Sequence, residues 1–248
     1  LAMDKAIVNL RPEGIMVYPM SQHIGAPAKP IVAKGDRVLM GQKIAEAGGF
    51  ISAPVISSVS GKVKSIEKRL TVGGSMVESI VVENDQEYET VPGFGEKRDY
   101  TTLSRDEIVQ IVKEAGIVGL GGAGFPTSVK LCPKEVDKID TFLVNAAECE
   151  PYLCTDAATM YHSAETIIDG MAIIMHVTGA DKGIIALEDN KTHLVPVFEK
   201  AIAKIKQNPV GPGAYDISVE LCKTKYPQGG EKNLTSAVVG REIPSGGL

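Results

Sequence analysis

The chain has 248 residues, a net charge of −5 and an apolar share of 44%. That share supports packed cores and excludes a disordered chain, and the acidic balance excludes a nucleic-acid surface, which needs a basic face. No apolar run has the length to cross a bilayer, and no basic segment followed by an apolar core marks a signal peptide. A cytoplasmic chain is expected, free to dock on a membrane complex. Trp is absent, which disfavours a stacking platform for single strands. Cys132, Cys149, Cys154 and Cys222 form no Cys-x-x-Cys pair, so no zinc or iron–sulfur site is expected among them. They read as reduced, partly buried thiols. His23, His162, His176 and His193 share no metal-ligand spacing and read as structural.

Residues 1–90 alternate short Val- and Ile-rich runs with Gly and Pro turns. The strands expected are Met16–Tyr18, Arg37–Leu39, Lys43–Glu46, Gly61–Ile66 and Val77–Val82. The polar stretch Glu83–Asp99, with Pro92, Gly93 and Gly95, reads as a linker. The expected organisation is an all-β domain at 1–90, a linker at 91–100 and a second domain at 101–248.

From residue 100 the rhythm changes to helix, strand, helix, strand. Ser104-x-x-Glu107 is a capping box ahead of Ile108, Ile111, Val112 and Ala115 at helical spacing, and Gly116 can close that helix. Thr141–Asn145 reads as a buried strand. Asp156 is the expected cap of a long helix whose stripe of Met160, Ala164, Ile167, Ile168, Met171, Ile174 and Met175 reads as core. Gly183–Leu187 is the next strand and Thr192–Ile205 the next helix. Tyr215, Ile217, Val219 and Leu221 alternate with polar residues, and a last helix is expected at Lys232–Val239. This order implies an α/β layer fold with a largely parallel sheet, whose ligands bind beyond the carboxyl ends of the strands.

Three strings carry the functional signal. Gly119-Leu-Gly-Gly-Ala-Gly-Phe-Pro-Thr-Ser-Val-Lys130 places four glycines in six residues ahead of Pro126 and Lys130. Glycine brings bare backbone to a ligand, Pro126 suits a first helical turn, and that turn's N–H groups with Lys130 attract phosphate. The pattern Gly119-x-Gly121-x-x-Gly124 follows a helix rather than a strand, so it is not the ordinary dinucleotide fingerprint. The spacing to Lys130 is too long for a P-loop. The competing reading is a tight turn packing helix on helix. Asn145-Ala-Ala-Glu-Cys-Glu-Pro151 follows a strand. It is either a solvated acidic loop or a ligand rim in which Asn145 offers donors and an acceptor and Glu148 or Glu150 accepts from a sugar or carboxamide. Tyr226-Pro-Gln-Gly-Gly-Glu231 sets Gly229 and Gly230 just before a helix.

These strings resemble known flavoproteins. Gly121-Gly-Ala-Gly-Phe-Pro-Thr127 with Lys130 resembles the flavin-binding segment of the flavoprotein subunit of respiratory complex I. Asn145–Pro151 resembles its second flavin and NADH segment, and Gly229-Gly-Glu231 its third. The whole, ending in Gly240-Arg-Glu-Ile-Pro-Ser-Gly-Gly-Leu248, is closer to the C-subunit family of the Rnf electron-transport complex. Lys34–Pro54 with Ser60–Ile66 resembles a lipoyl/biotinyl-type barrel-sandwich hybrid. Carriers of that fold present an acceptor lysine at a hairpin tip, where this chain has Gly49 in Glu46-Ala-Gly-Gly-Phe50. Without an amine no amide to lipoate or biotin forms, so the domain is expected to serve as a structural or docking module.

The resemblance implies a barrel-sandwich hybrid followed by a Rossmann-like α/β flavin-binding domain. It implies noncovalent FMN held by Gly121, Gly122, Ala123, Gly124, Lys130, Asn145, Glu148, Cys149, Tyr226, Gly229, Gly230 and Glu231. NADH would meet Phe125, Glu148 and Glu150. No side-chain acid, base or nucleophile is implied, since hydride transfer is the cofactors' own chemistry. Ala147 departs from the complex I pattern, which carries an acidic residue there. Relatives of the Rnf type continue into a further domain and 4Fe-4S centres, so the chain is expected to be an N-terminal fragment. Its expected partners are the other subunits of the membrane complex, NADH and, indirectly, ferredoxin, with ion movement left to other subunits. The expected location is peripheral, on the cytoplasmic side of the membrane. The alternative is an assembly module that does not hold flavin in this form.

Overall fold

The computed structural model describes residues 6–120, 122–133, 139–207 and 215–243. They fall into two units: one of residues 9–99 with 106–133, the other of 6–8, 100–105 and the described part of 134–248. The glycine string groups with the first unit and the other two strings with the second.

In the first unit, β1 (Ile15–Pro19), β2 (Lys29–Pro30), β3 (Arg37–Val38), β4 (Lys43–Glu46), β5 (Val55–Ile56), β6 (Gly61–Leu70) and β7 (Met76–Asn84) form two antiparallel sheets. Their orders are β1-β7-β6-β3 and β2-β4-β5. Tyr18, Met20, Val38, Ile44, Val55, Val63, Ile80 and Val82 meet in the core between them, as the apolar faces of two small sheets must. The expected strands are present. β6 and β7 run further than expected because they continue as one hairpin, closed where the Gly74 N–H donates to the Thr71 carbonyl at 2.9 Å. Gly49, where the resemblance to carriers puts an acceptor lysine, lies in the loop between β4 and β5, and Phe50 beside it is 84% exposed.

The first part of the polar stretch is fastened to the barrel. Arg37 donates to Glu89 at 2.6 Å and faces Asp85 at 3.2 Å. The Met40 N–H donates to the Glu89 carbonyl, and the Tyr88 hydroxyl donates to the Pro12 carbonyl. The surface ion pairs contribute little energy; the backbone bonds hold the strip in register. Next come α1 (Arg105–Glu114) and the single turn α2 (Thr127–Lys130). Gly116, at φ +66, ends α1 as expected.

The second unit is a parallel sheet in the order β10-β9-β8 among the described residues, made of β8 (Thr141–Ala146), β9 (Lys182–Glu188) and β10 (Asp216–Cys222). α3 (Thr155–Thr178) and α4 (Val195–Gln207) are the crossovers and share one apolar cluster with Ile185, Leu187 and Ile217. α5 (Glu231–Val239) covers the other face, with Leu234 against Ala186 and Cys222. The Met stripe of α3 is core: Met160, Met171 and Met175 are buried.

Three expectations change. The strand at Thr141–Asn145 is half-buried, because β8 lies at an edge of the described sheet; the buried strand is the central β9. The helix after β9 starts at Val195, preceded by a 3-10 stretch over Asp189–Leu194. The alternation of β10 ends early. Leu221 is 52% exposed and Cys222 is buried, because α5 covers the Cys222 face while the α3–α4 cluster includes Ile217 and Val219 but not Leu221. Burial, then the nearby Glu188 carboxylate, pushes the Cys222 thiol above its ordinary range.

Candidate functional site

The glycine string forms a loop closed by backbone. The Thr127 N–H donates to the Ile117 carbonyl at 3.0 Å and the Gly119 N–H to the Phe125 carbonyl at 2.9 Å. Leu120 and Gly122 project into solvent, and nothing stands within 4 Å of where a Cβ on Gly122 would lie. That leaves bare backbone for a ligand. Gly124 differs. It adopts φ +64, and a Cβ there would stand 3.0 Å from the Gln22 carbonyl oxygen and from the His23 Cα. This glycine lets the loop lie on the barrel. Pro126 is the N-cap of α2 and not its first helical residue, and its carbonyl accepts from the N–H groups of Val129 and Lys130. A helix of four residues is too short to argue a strong dipole, so the case for phosphate here rests on bare backbone and the exposed Lys130. Gly121 lies outside the described residues.

In the second unit, parallel strands bring their carboxyl ends to one edge, and two strings emerge there. Asn145, at the end of β8, donates from Nδ2 to the Gly229 carbonyl at 2.8 Å and accepts from the Ala147 N–H at 3.2 Å. The Gly229 N–H donates to the Cys149 Sγ at 3.2 Å. A Cβ on Gly229 would stand 2.4 Å from the Ala147 carbonyl oxygen and 3.1 Å from the Cys149 sulfur. Gly229 is therefore required by the close approach of the two loops. Glu150, Tyr226 and Glu231 are exposed around this junction, and Gly230 is the N-cap of α5.

Glu148 points inward. Its Oε1 accepts from the Asp156 N–H at 2.9 Å in the first turn of α3. The cap expected from Asp156 is thus supplied by Glu148, because the N-cap residue itself is Cys154, which makes no side-chain cap bond. The other oxygen, Oε2, lies 3.7 Å from the Lys191 Nζ, which donates to the Glu188 Oε2 at 2.8 Å. All three side chains are buried, Glu188 completely. One ammonium thus stands between two carboxylates drawn from the ends of β8 and β9. Glu148 Oε2 and Glu188 Oε1 have no hydrogen-bond partner among the described residues. Beside them, Asp189 accepts from the Thr224 hydroxyl at 2.6 Å and N–H at 3.0 Å. These bonds hold its carboxyl below the usual range.

Of the expected site residues, Asn145, Cys149 and Gly229 are brought into direct contact, with Gly230, Tyr226, Glu150 and Glu231 beside them. Gly122, Ala123, Gly124, Phe125 and Lys130 lie together in the other unit. Sequence reading missed Glu188 and Lys191. The available signal is a Glu-x-x-Lys pair directly after the apolar run of β9, with the glutamate closing a buried strand.

A parallel sheet with glycine and acidic loops at its carboxyl edge, together with a barrel of two small antiparallel sheets, makes this an α/β protein with an appended barrel-sandwich hybrid. The chain belongs to the family described as the Nuo51 FMN-binding domain, which matches residues 112–248, and residues 1–87 match the RnfC barrel sandwich hybrid domain. It is 44% identical over 238 residues to the C-subunit of the Na(+)-translocating ferredoxin:NAD(+) oxidoreductase complex of Acetobacterium woodii, a match covering 96% of this chain and 52% of that protein. It is 43% identical to the C-subunit of the proton-translocating ferredoxin:NAD(+) oxidoreductase complex of Clostridium ljungdahlii, covering 93% of this chain and 48% of that protein. The chain thus spans about half the length of these relatives. Among solved structures it resembles an NAD+-reducing NiFe-hydrogenase in the H2-reduced state, with 30% identity, a TM-score of 0.51, and coverage of 57% of this chain and 25% of that one. No helix among the described residues is long and apolar enough to cross a membrane.

Proposed function

We propose that this chain holds FMN and receives NAD(H) as the electron-input part of an Rnf-type ferredoxin:NAD+ oxidoreductase complex. The observation that carries the reading is the junction of Asn145, Cys149 and Gly229 at the carboxyl edge of a parallel sheet, within the span matched by the FMN-binding family. Each unit, taken by itself, carries residues that suit part of a flavin. A phosphate needs bare backbone and a cation, and Gly122 and Lys130 offer them. A ring and ribityl chain need a polar rim, and Asn145 with the exposed carboxylates of Glu150 and Glu231 offers one.

In this reading Gly122 and Ala123 present backbone to the phosphate, and Lys130 adds a point charge. Asn145 orients the ring edge while its bond to Gly229 holds the third loop. Phe125 and Glu150 meet NADH. Glu148, buried under its loop, sets the loop's shape by capping α3. A bound FMN would supply the chemistry of taking two electrons from NADH and releasing them one at a time. The chain's own residues bind, orient and exclude water. In this reading the iron–sulfur clusters that would take the electrons lie outside this chain, and the partners are the other subunits of the complex on the cytoplasmic side of the membrane.

Titration of the purified chain with FMN, followed by flavin fluorescence, tests this reading. Quenching at micromolar FMN, weakened in Lys130→Ala/Gly122→Val, supports it. Absent quenching, or equal binding by the double variant, rejects it and leaves an assembly module. Anaerobic bleaching by NADH separates a working site from one that only holds flavin.

A further inference from the structure

The barrel's missing carrier lysine leaves open what its hairpin does, and the contacts around His23 answer it. His23 is 8% exposed. The Ala53 N–H donates to its Nε2 at 3.1 Å, and its Nδ1 lies 3.0 Å from the Ile24 carbonyl. The Ala53 carbonyl stands 3.2 Å from the same Nε2, the longest of the three contacts. One tautomer serves the two shorter ones, with the proton on Nδ1 donated to Ile24 and the bare Nε2 accepting from Ala53. Ala53 belongs to the loop between β4 and β5, where carriers of this fold display their lysine. Two residues beyond Ile24, the Ala26 N–H donates to the Ile51 carbonyl at 2.9 Å. The segment 22–26 is thereby clamped to the hairpin loop.

The other side of that segment meets the glycine string. The Ile24 N–H donates to the Ala123 carbonyl at 2.9 Å, and Gly124 lies so close to Gln22 and His23 that only hydrogen fits at its α-carbon without displacement. Both polar groups of the Ile24 residue are therefore committed: its carbonyl to the His23 ring and its N–H to the glycine string. The His23 ring and Gly124 are buried at this contact, and a buried polar group that loses its partner is costly, so this arrangement resists sliding.

We propose that the carrier-type barrel has become the seat of the flavin loop, with His23 as a positioning residue that sets where Ala123 and Gly124 lie. The proposal rests on the flavin reading for its consequence, though not for its geometry. The loop that would present a tethered cofactor in carriers here holds segment 22–26, and the backbone of that segment in turn holds the glycine string.

Two substitutions of His23 separate its nitrogens. Gln reaches the Nε2 position and retains a partner for Ala53, whereas Asn reaches only the Nδ1 position. FMN affinity and amide hydrogen exchange are measured on the whole chain. His23→Gln is expected to stay within about twofold of the parent in both, and His23→Asn to bind FMN about tenfold more weakly, the effect of about one lost hydrogen bond. In His23→Asn the Ile24 amide should exchange about tenfold faster, while Ile80 and Val82 in the barrel core keep their protection. Gly124→Ala, which leaves His23 intact, should reproduce both effects. Unchanged Ile24 exchange in His23→Asn and Gly124→Ala overturns the seat, as does a loss in His23→Gln equal to that in His23→Asn. If the parent chain fails to bind FMN, the flavin reading falls, and Ile24 exchange alone decides the seat.

Discussion

The glycine string and the strand-end loops solve the same problem by opposite means. Carbonyls and N–H groups hold the glycine string, through Ile117, Gly119, Ala123 and Ile24, with side chains nearly absent. Side chains hold the strand-end loops: the Asn145 amide, the Cys149 thiol and the buried Glu148–Lys191–Glu188 cluster. The first region should tolerate truncation and fail when atoms are added. The second should fail when atoms are removed, except at Gly229, where two loops leave no room.

The largest expected effect comes from the buried cluster. Lys191→Met leaves two carboxylates buried without their cation, and removing one partner of a buried pair costs about 3–5 kcal/mol. Urea unfolding checks this, and a loss under about 1 kcal/mol would contradict the buried-charge account. Next come the two glycines. Gly229→Ala forces a methyl group into a filled space, which costs about 1–3 kcal/mol and should separate Asn145 from its partner carbonyl. Gly124→Ala places an L-residue at positive φ, at a cost of about 1–2 kcal/mol. Melting curves of the two variants beside Gly122→Ala, whose added methyl meets nothing, test whether contact alone decides the order.

Smaller effects probe single bonds. Cys149→Ala removes the acceptor for the Gly229 N–H and should cost about 1 kcal/mol, while Cys149→Ser retains an acceptor and should recover most of it. The same thiols rank themselves by access: alkylation followed by mass spectrometry should mark exposed Cys132 first and buried Cys222 last, the latter also slowed by its raised pKa. The smallest effect is acid loosening at Asp189. Its carboxyl titrates below the ordinary 3.8 because Thr224 donates two bonds to it. Its contribution is therefore complete above that value and disappears as pH falls through the lowered one. Thr224→Val should move the Asp189 titration, followed by NMR, back toward the ordinary value.

Much of the architecture is legible in the residues. The Val and Ile runs of the barrel, the Met stripe of α3 and the order of strands and helices follow local rules of period and turn chemistry, which act over a few residues. The placement of the strings at 145–151 and 226–231 at one edge was also legible, because a parallel sheet brings its strand ends together there. The burial of Glu148 was not legible. An acidic residue in a loop ordinarily faces water, and only the nearby start of α3 and the ammonium of Lys191 turn it inward.

By itself, then, the sequence determined the two kinds of layer, the three glycine- and acid-rich strings and the absence of a lysine at position 49. Each of these is written in neighbouring residues and needs no distant partner. Only the tertiary structure decided what each glycine and carboxylate is for. Gly122 faces open space, Gly124 faces the barrel, Gly229 faces another loop, and Glu148 faces a helix end. The reason is physical: a missing Cβ or an added charge acquires meaning from the atoms that approach it, and those atoms come from remote parts of the chain.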